Sequence, residues 1–157
     1  MSSRREARER TMQALYALEM CGGDPEHMIE TVLRDQLGKD KEVLAFATLL
    51  FIRTLEFEKE ADKIVSRYTR NWELSRIALV DRILLRIGIA EMLAFEDIPP
   101  KVTINEMIEV AKGYSTEKSG QFINGILDTV LTDFQKKKRL KKRGRGLIGM
   151  ETFSSQE

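Results

Sequence analysis

Three groups of residues in this 157-residue chain have types and spacings that bear on chemistry. The first concerns acid–base work. The one histidine, His27, follows Glu26 near the start of a helical stretch. Glu106 and Glu109 stand three apart on another helix, with Lys112 three residues further on. Paired carboxylates can exchange a proton with a substrate. At helical spacing beside a lysine they more often make a solvated, salt-bridged face. Strand-like alternation is hard to find, so no Gly-rich phosphate loop follows a strand. With one cysteine, Cys21, and one histidine, the chain forms no internal disulfide and no Cys/His zinc site. No catalytic residue, metal or cofactor is therefore expected.

The second group points to nucleic acid. Arg4, Arg5, Arg8 and Arg10 open the chain, diluted by Glu6 and Glu9. On a helix, Arg5, Arg8 and Met12 share a flank that Tyr16 and Glu19 continue. Arginines beside an amphipathic ring suit phosphate contacts plus stacking. The plainer alternative is a solvated helix end.

The third group lies in QFINGILDTV, residues 121–130. Steps of about 100° put Ile123, Ile126, Leu127 and Val130 on a core face. Phe122 falls outside that face, beside Lys118, Gly125 and Thr129. It suits stacking on an unpaired base, with Gly125 letting a sugar come close. It suits equally a packing role, with Gly125 allowing two helices to cross closely. Asn124 and the Asn105–Glu106 pair read as mainly structural, a mid-helix Asn usually having a side-chain hydrogen bond.

The elements that must position these residues are helices. The first is expected over about Arg4–Met20, with Ala7, Thr11, Ala14, Leu15 and Leu18 inward and Gly22-Gly23 ending it. Asp24-Pro25 offers a cap and a first-turn proline for a second, running to Leu37. A long third helix spans Lys41–Tyr68, and Asn71-Trp72 marks a break. A helix over 80–95 follows, and Pro99-Pro100 interrupts the chain again. Thr103 to Glu106 reads as a capping box for the next helix, which ends near Lys112-Gly113. Ser115 or Thr116 caps the last, which runs to about Phe134. The predicted architecture is all-α, with six or seven helices in two small subdomains, residues 1–70 and 71–135.

Composition agrees. The chain is 42% hydrophobic and 32% charged, enough to bury a core and stay soluble. The net charge of +1 hides an asymmetry. Residues 136–157 hold eight Lys/Arg and two Glu, leaving 18 basic and 23 acidic residues in the body. That basic run, with little to bury, is expected to be a disordered tail that adds salt-sensitive affinity for any polyanion. There is no apolar run of about 18 residues and no signal-peptide core behind the N-terminal arginines, so no membrane span and a cytoplasmic location are expected.

Three stretches, in order, resemble the NusB family. KVTINEMIEVAKGYSTEKSGQFINGILD, residues 101–128, is similar to the family signature of Val-x-Ile-Asn-Glu followed by Phe-apolar-Asn-Gly-apolar-Leu-Asp. RREARERTMQALYALEM and NWELSRIALVDRILLRIGIAEM resemble its opening and middle elements. The likeness covers about residues 4–134. It departs from many relatives in its thinner arginine run and in Lys118, where an acidic residue can stand. The resemblance implies an all-helical, non-catalytic factor for transcription antitermination and ribosomal RNA synthesis. It implies binding of single-stranded boxA RNA together with the ribosomal protein NusE, within the elongating RNA polymerase complex and its other Nus factors. It implies that Arg4, Arg5, Arg8, Lys118, Ser119 and Phe122 face RNA. Gln13, Tyr68, Lys112 and Tyr114 are nominated by position, and Asp81 for the NusE surface. Some such proteins pair through the arginine surface, so the sequence leaves a homodimer open. Two rival readings are a protein-interaction adaptor without specific RNA binding and the RNA-binding domain type of an RNA cytosine methyltransferase.

Overall fold

A computed structural model describes residues 3–69, 76–114 and 116–150. The expected break at Asn71-Trp72 and the cap at Ser115 lie outside these residues. The helices are α1 (Arg4–Cys21), α2 (Pro25–Met28), α3 (Arg34–Leu37), α4 (Lys41–Tyr68), α5 (Leu79–Ala94), α6 (Pro100–Tyr114) and α7 (Glu117–Lys136). No strand occurs among the described residues, and no described helix is long and apolar enough to cross a membrane.

Local chemistry sets most boundaries. Ser3 caps α1 by accepting from the Glu6 amide at 3.1 Å. Asp24 and Asp40 do the same for α2 and α4, through the amides of Glu26 and Val43. Each such cap is worth about 1 kcal/mol. Gly22, at φ +69°, ends α1. The expected second helix is one rod interrupted by a π-helical turn, Ile29–Leu33, which accommodates an extra residue per turn.

The capping box expected at Thr103–Glu106 does not form. Pro100 already occupies the first turn of α6, because proline needs no amide partner there. Thr103 thus lies inside the helix, and its hydroxyl donates to Glu91 Oε1 at 2.7 Å. Glu106 reaches across to Arg5 instead of back to its own helix.

α5 is the central element, with eleven of its residues buried, Ile83–Met92 continuously. A helix covered on all sides must have its ionic residues partnered. Arg86 donates to Asp62 at 2.8 and 3.0 Å, Glu91 accepts from Arg8, and Asp81 accepts from Ser119 Oγ at 3.0 Å. The Arg86–Asp62 pair and the Phe46–Phe95 ring contact at 5.4 Å run α4 antiparallel to α5. A Cβ at Gly88 would stand 3.0 Å from Leu127, so the close approach of α5 and α7 is made there.

Beyond α7 the chain does not leave the body. Residues 137–150, expected to belong to a disordered tail, lie over it as a strap. Leu140 packs against the core. Lys142 is buried and donates to the Phe95 carbonyl at 2.6 Å. The Arg143 amide donates to the Glu96 carbonyl at 2.9 Å, and a 3₁₀ turn, Gly144–Leu147, follows. The expectation weighed apolar content alone. Beyond Leu140, what holds the strap is polar: carbonyls at the end of α5 and carboxylates that lysine and arginine can reach.

Candidate nucleic-acid interface

α1 runs alongside α6, and two sets of polar contacts tie them. Arg5, about half exposed, donates to Glu106 through Nε at 2.8 Å and Nη2 at 3.2 Å. Eight residues further along α6, about 12 Å at 1.5 Å per residue, Gln13 donates to the Tyr114 hydroxyl at 2.5 Å. That hydroxyl donates in turn to Glu9 at 2.5 Å. Burial, then the bond to Glu9, raises the Tyr114 pKa, so the phenol stays protonated and able to donate.

α7 returns beside α6. Its first turns add exposed Lys118 and Gln121 and half-buried Phe122, which packs against the core with part of its ring. Lys112 pairs with Glu109 at 2.9 Å. Three helices thus contribute polar and aromatic side chains here: α1 with Arg5 and Gln13, α6 with Lys112 and Tyr114, and α7 with Lys118 and Phe122. Arg4 lies at the other end of α6, paired with Asp97 at 3.5 Å. Tyr68, in the last turn of α4, is half-buried against the core, at the α5 end that carries Asp81.

Arg8 is a correction. The flank expected to present Arg8 and Met12 outward faces inward at those residues, which are 3% and 2% exposed. Arg8 donates to both oxygens of Glu91 at 2.9 and 2.8 Å and lies over the Phe46 ring. It has no free face for a phosphate. Ser119 and Asp81 are likewise buried and bonded to each other, so they brace α7 against α5 beneath the surface.

Gly125 answers the question its neighbour raised. An added Cβ would meet nothing within 4 Å, so no helix crosses there. Asn124 is exposed as well. The residue that sequence reasoning missed is Glu9, which holds the Tyr114 hydroxyl and was legible only as dilution of positive charge. Glu106, read from the sequence as structural, holds Arg5.

A family model described as NusB family matches residues 5–132. The transcription antitermination protein NusB of Salinibacter ruber is 49% identical over 153 residues, 98% of this chain and 96% of that protein. The solved structure of T. maritima NusB is 37% identical with a TM-score of 0.79, covering 88% of this chain and 96% of that one. A solved complex described as antitermination factors NusB and NusE with double-stranded RNA is 25% identical with a TM-score of 0.75, covering 83% of this chain and 96% of that one.

Proposed function

This chain belongs to the NusB family, and on that premise we propose that it is an RNA-binding transcription antitermination factor. It is not an enzyme. With its NusE partner it holds single-stranded boxA RNA and joins the elongating polymerase and other Nus factors, in the cytoplasm where nascent RNA is made. The observation that carries this reading is the likeness to a named antitermination protein along almost all of both chains. In this reading Arg5, Lys112 and Lys118 supply phosphate contacts, which set position, and Phe122 and Tyr114 supply ring faces for unpaired bases. Gln13, with Glu9, fixes the Tyr114 ring, and Ser119 and Asp81 support the surface from below.

Fluorescence anisotropy tests this. A labelled boxA-like RNA is compared with a scrambled RNA of equal length, with and without NusE, at two salt concentrations. Preference for boxA, sharpened by NusE, is expected. Equal, salt-sensitive binding to both RNAs would leave only unspecific charge attraction and favour an adaptor role.

A further inference from the structure

The strap carries more charge than its docking uses. Residues 136–150 hold eight basic side chains and no acidic one. Among them Lys137 is engaged with Asp133 at 3.2 Å, Arg139 with Glu60, Lys142 with the Phe95 carbonyl, and Arg143 with Glu96 at 3.1 Å. Lys136, Lys141 and Arg145 are exposed, and no ion pair among the described residues involves them. The strap holds Lys141 and Arg145 in fixed places, because its backbone is seated on residues 95 and 96, and Lys136 is fixed in the last turn of α7.

Gly146 shows how closely it is seated. A Cβ there would stand 1.9 Å from the Glu96 carbonyl oxygen. The glycine amide donates to the Arg143 carbonyl at 2.9 Å, closing the turn over that contact.

Between the strap and α7 runs a groove of about 330 Å³. Lys101, Thr129, Leu131, Thr132, Gln135 and Gly149 line it, and Asp128 is the one carboxylate among its lining residues. The groove continues the candidate interface. Phe122, Gly125, Thr129, Thr132 and Lys136 recur at helical spacing along one stripe of α7. From Phe122 to Lys136 that stripe is about 21 Å long. It carries no branched apolar residue, and at Gly125 it is open.

We propose that the docked strap and the α7 groove form a second RNA site, which holds the sugar-phosphate backbone of single-stranded RNA flanking the element bound near Phe122. The proposal rests on the RNA-binding reading above, and its strap residues lie beyond residues 5–132, which the family model matches. Lys136, Lys141, Arg145 and Lys101 supply the charge, and the Thr and Gln side chains supply neutral hydrogen-bonding groups. Such contacts carry no sequence preference. Their fixed spacing separates this site from a loose basic tail, which would gain affinity from its charge alone wherever it lay.

Two variants of the full chain separate these cases. Lys136→Gln with Lys141→Gln and Arg145→Gln removes charge and leaves the seat intact. Gly146→Ala keeps every charge and unseats the strap, which faster trypsin cleavage after residues 141–145 would report. Each is titrated, with NusE present, against a short boxA-like RNA and the same RNA extended by a uridine run on either side. Wild-type protein is expected to bind the extended RNA more tightly. Each single-strand phosphate contact contributes about 0.7 to the salt slope, so the triple variant should lose about 2 from that slope. Both variants should lose the gain from extension and keep wild-type affinity for the short RNA. A gain that survives in both variants overturns the proposal. A gain lost in the triple variant but kept in Gly146→Ala also overturns it, in favour of a loose tail. Wild-type protein that binds neither RNA overturns the antitermination reading itself.

Discussion

Arg8→Ala separates the two roles that sequence and structure give this arginine. The substitution leaves the Glu91 carboxylate, which is 0% exposed, without its two-point partner. Only the Thr103 hydroxyl still donates to it. Removing one member of a buried ion pair costs roughly 3–5 kcal/mol, because the other charge stays out of water. Against a total stability of about 5–15 kcal/mol for a domain, that is a large fraction. Replacing both partners by apolar groups, Arg8→Met with Glu91→Leu, removes the stranded charge. What remains is an unbonded Thr103 hydroxyl, worth about 1–3 kcal/mol. Urea unfolding at neutral pH should therefore rank wild type above the double variant and the double variant above Arg8→Ala. RNA affinity, measured below the unfolding transition, should fall little in either. If Arg8→Ala stays within about 1 kcal/mol of wild type while RNA binding drops strongly, the buried pair is not what Arg8 is for, and the reasoning fails.

The other expectations concern three residues. Gly125→Ala should stabilise the protein by about 0.5–1 kcal/mol in thermal or urea unfolding, since helix propensity improves and nothing opposes the methyl group. If RNA lies against Gly125, the same variant should bind boxA RNA less tightly, and unchanged binding removes that approach. Phe122→Ala should weaken boxA binding by about 1–3 kcal/mol, the scale of one lost stacking partner. Loss of folding with no change in the binding of folded molecules would assign the ring to packing alone. Burial pushes the Lys142 pKa down to about 8, from 10.5 for an exposed lysine. Between those values the unfolded chain binds more protons than the folded one, so stability rises with pH from 8 to 10.5 and then levels off. The full gain is at most about 3 kcal/mol. An NMR titration of the Lys142 side chain with a midpoint near that of the other lysines would contradict the buried position.

Periodicity in the sequence located most of the helices and the core face of α7, because a helix surface repeats every 3.6 residues whatever it packs against. It could not choose between readings at the edges of a stripe. Phe122 and Gly125 sat at such an edge, and only the empty space around Gly125 removed close helix crossing as its purpose. The Thr103–Glu106 box satisfied every local rule and still did not form. Pro100 began the helix earlier, and Glu91 and Arg5 offered both side chains better partners.

Charge was the harder quantity to read. A run of arginines at helical spacing fixes which flank they occupy relative to one another. It does not fix which flank meets another helix. The sequence by itself determined an all-helical chain, its helix limits to within a few residues, and the family signature around residues 101–128. Tertiary structure decided which basic residues are available to a partner: Arg5 outside, Arg8 inside on Glu91, Lys142 inside on a carbonyl, and Lys141 and Arg145 held outward by the strap. The reason is physical. Helix propensity and periodicity are local, whereas the free energy of a charge depends on the burial and partners that residues distant in sequence bring to it.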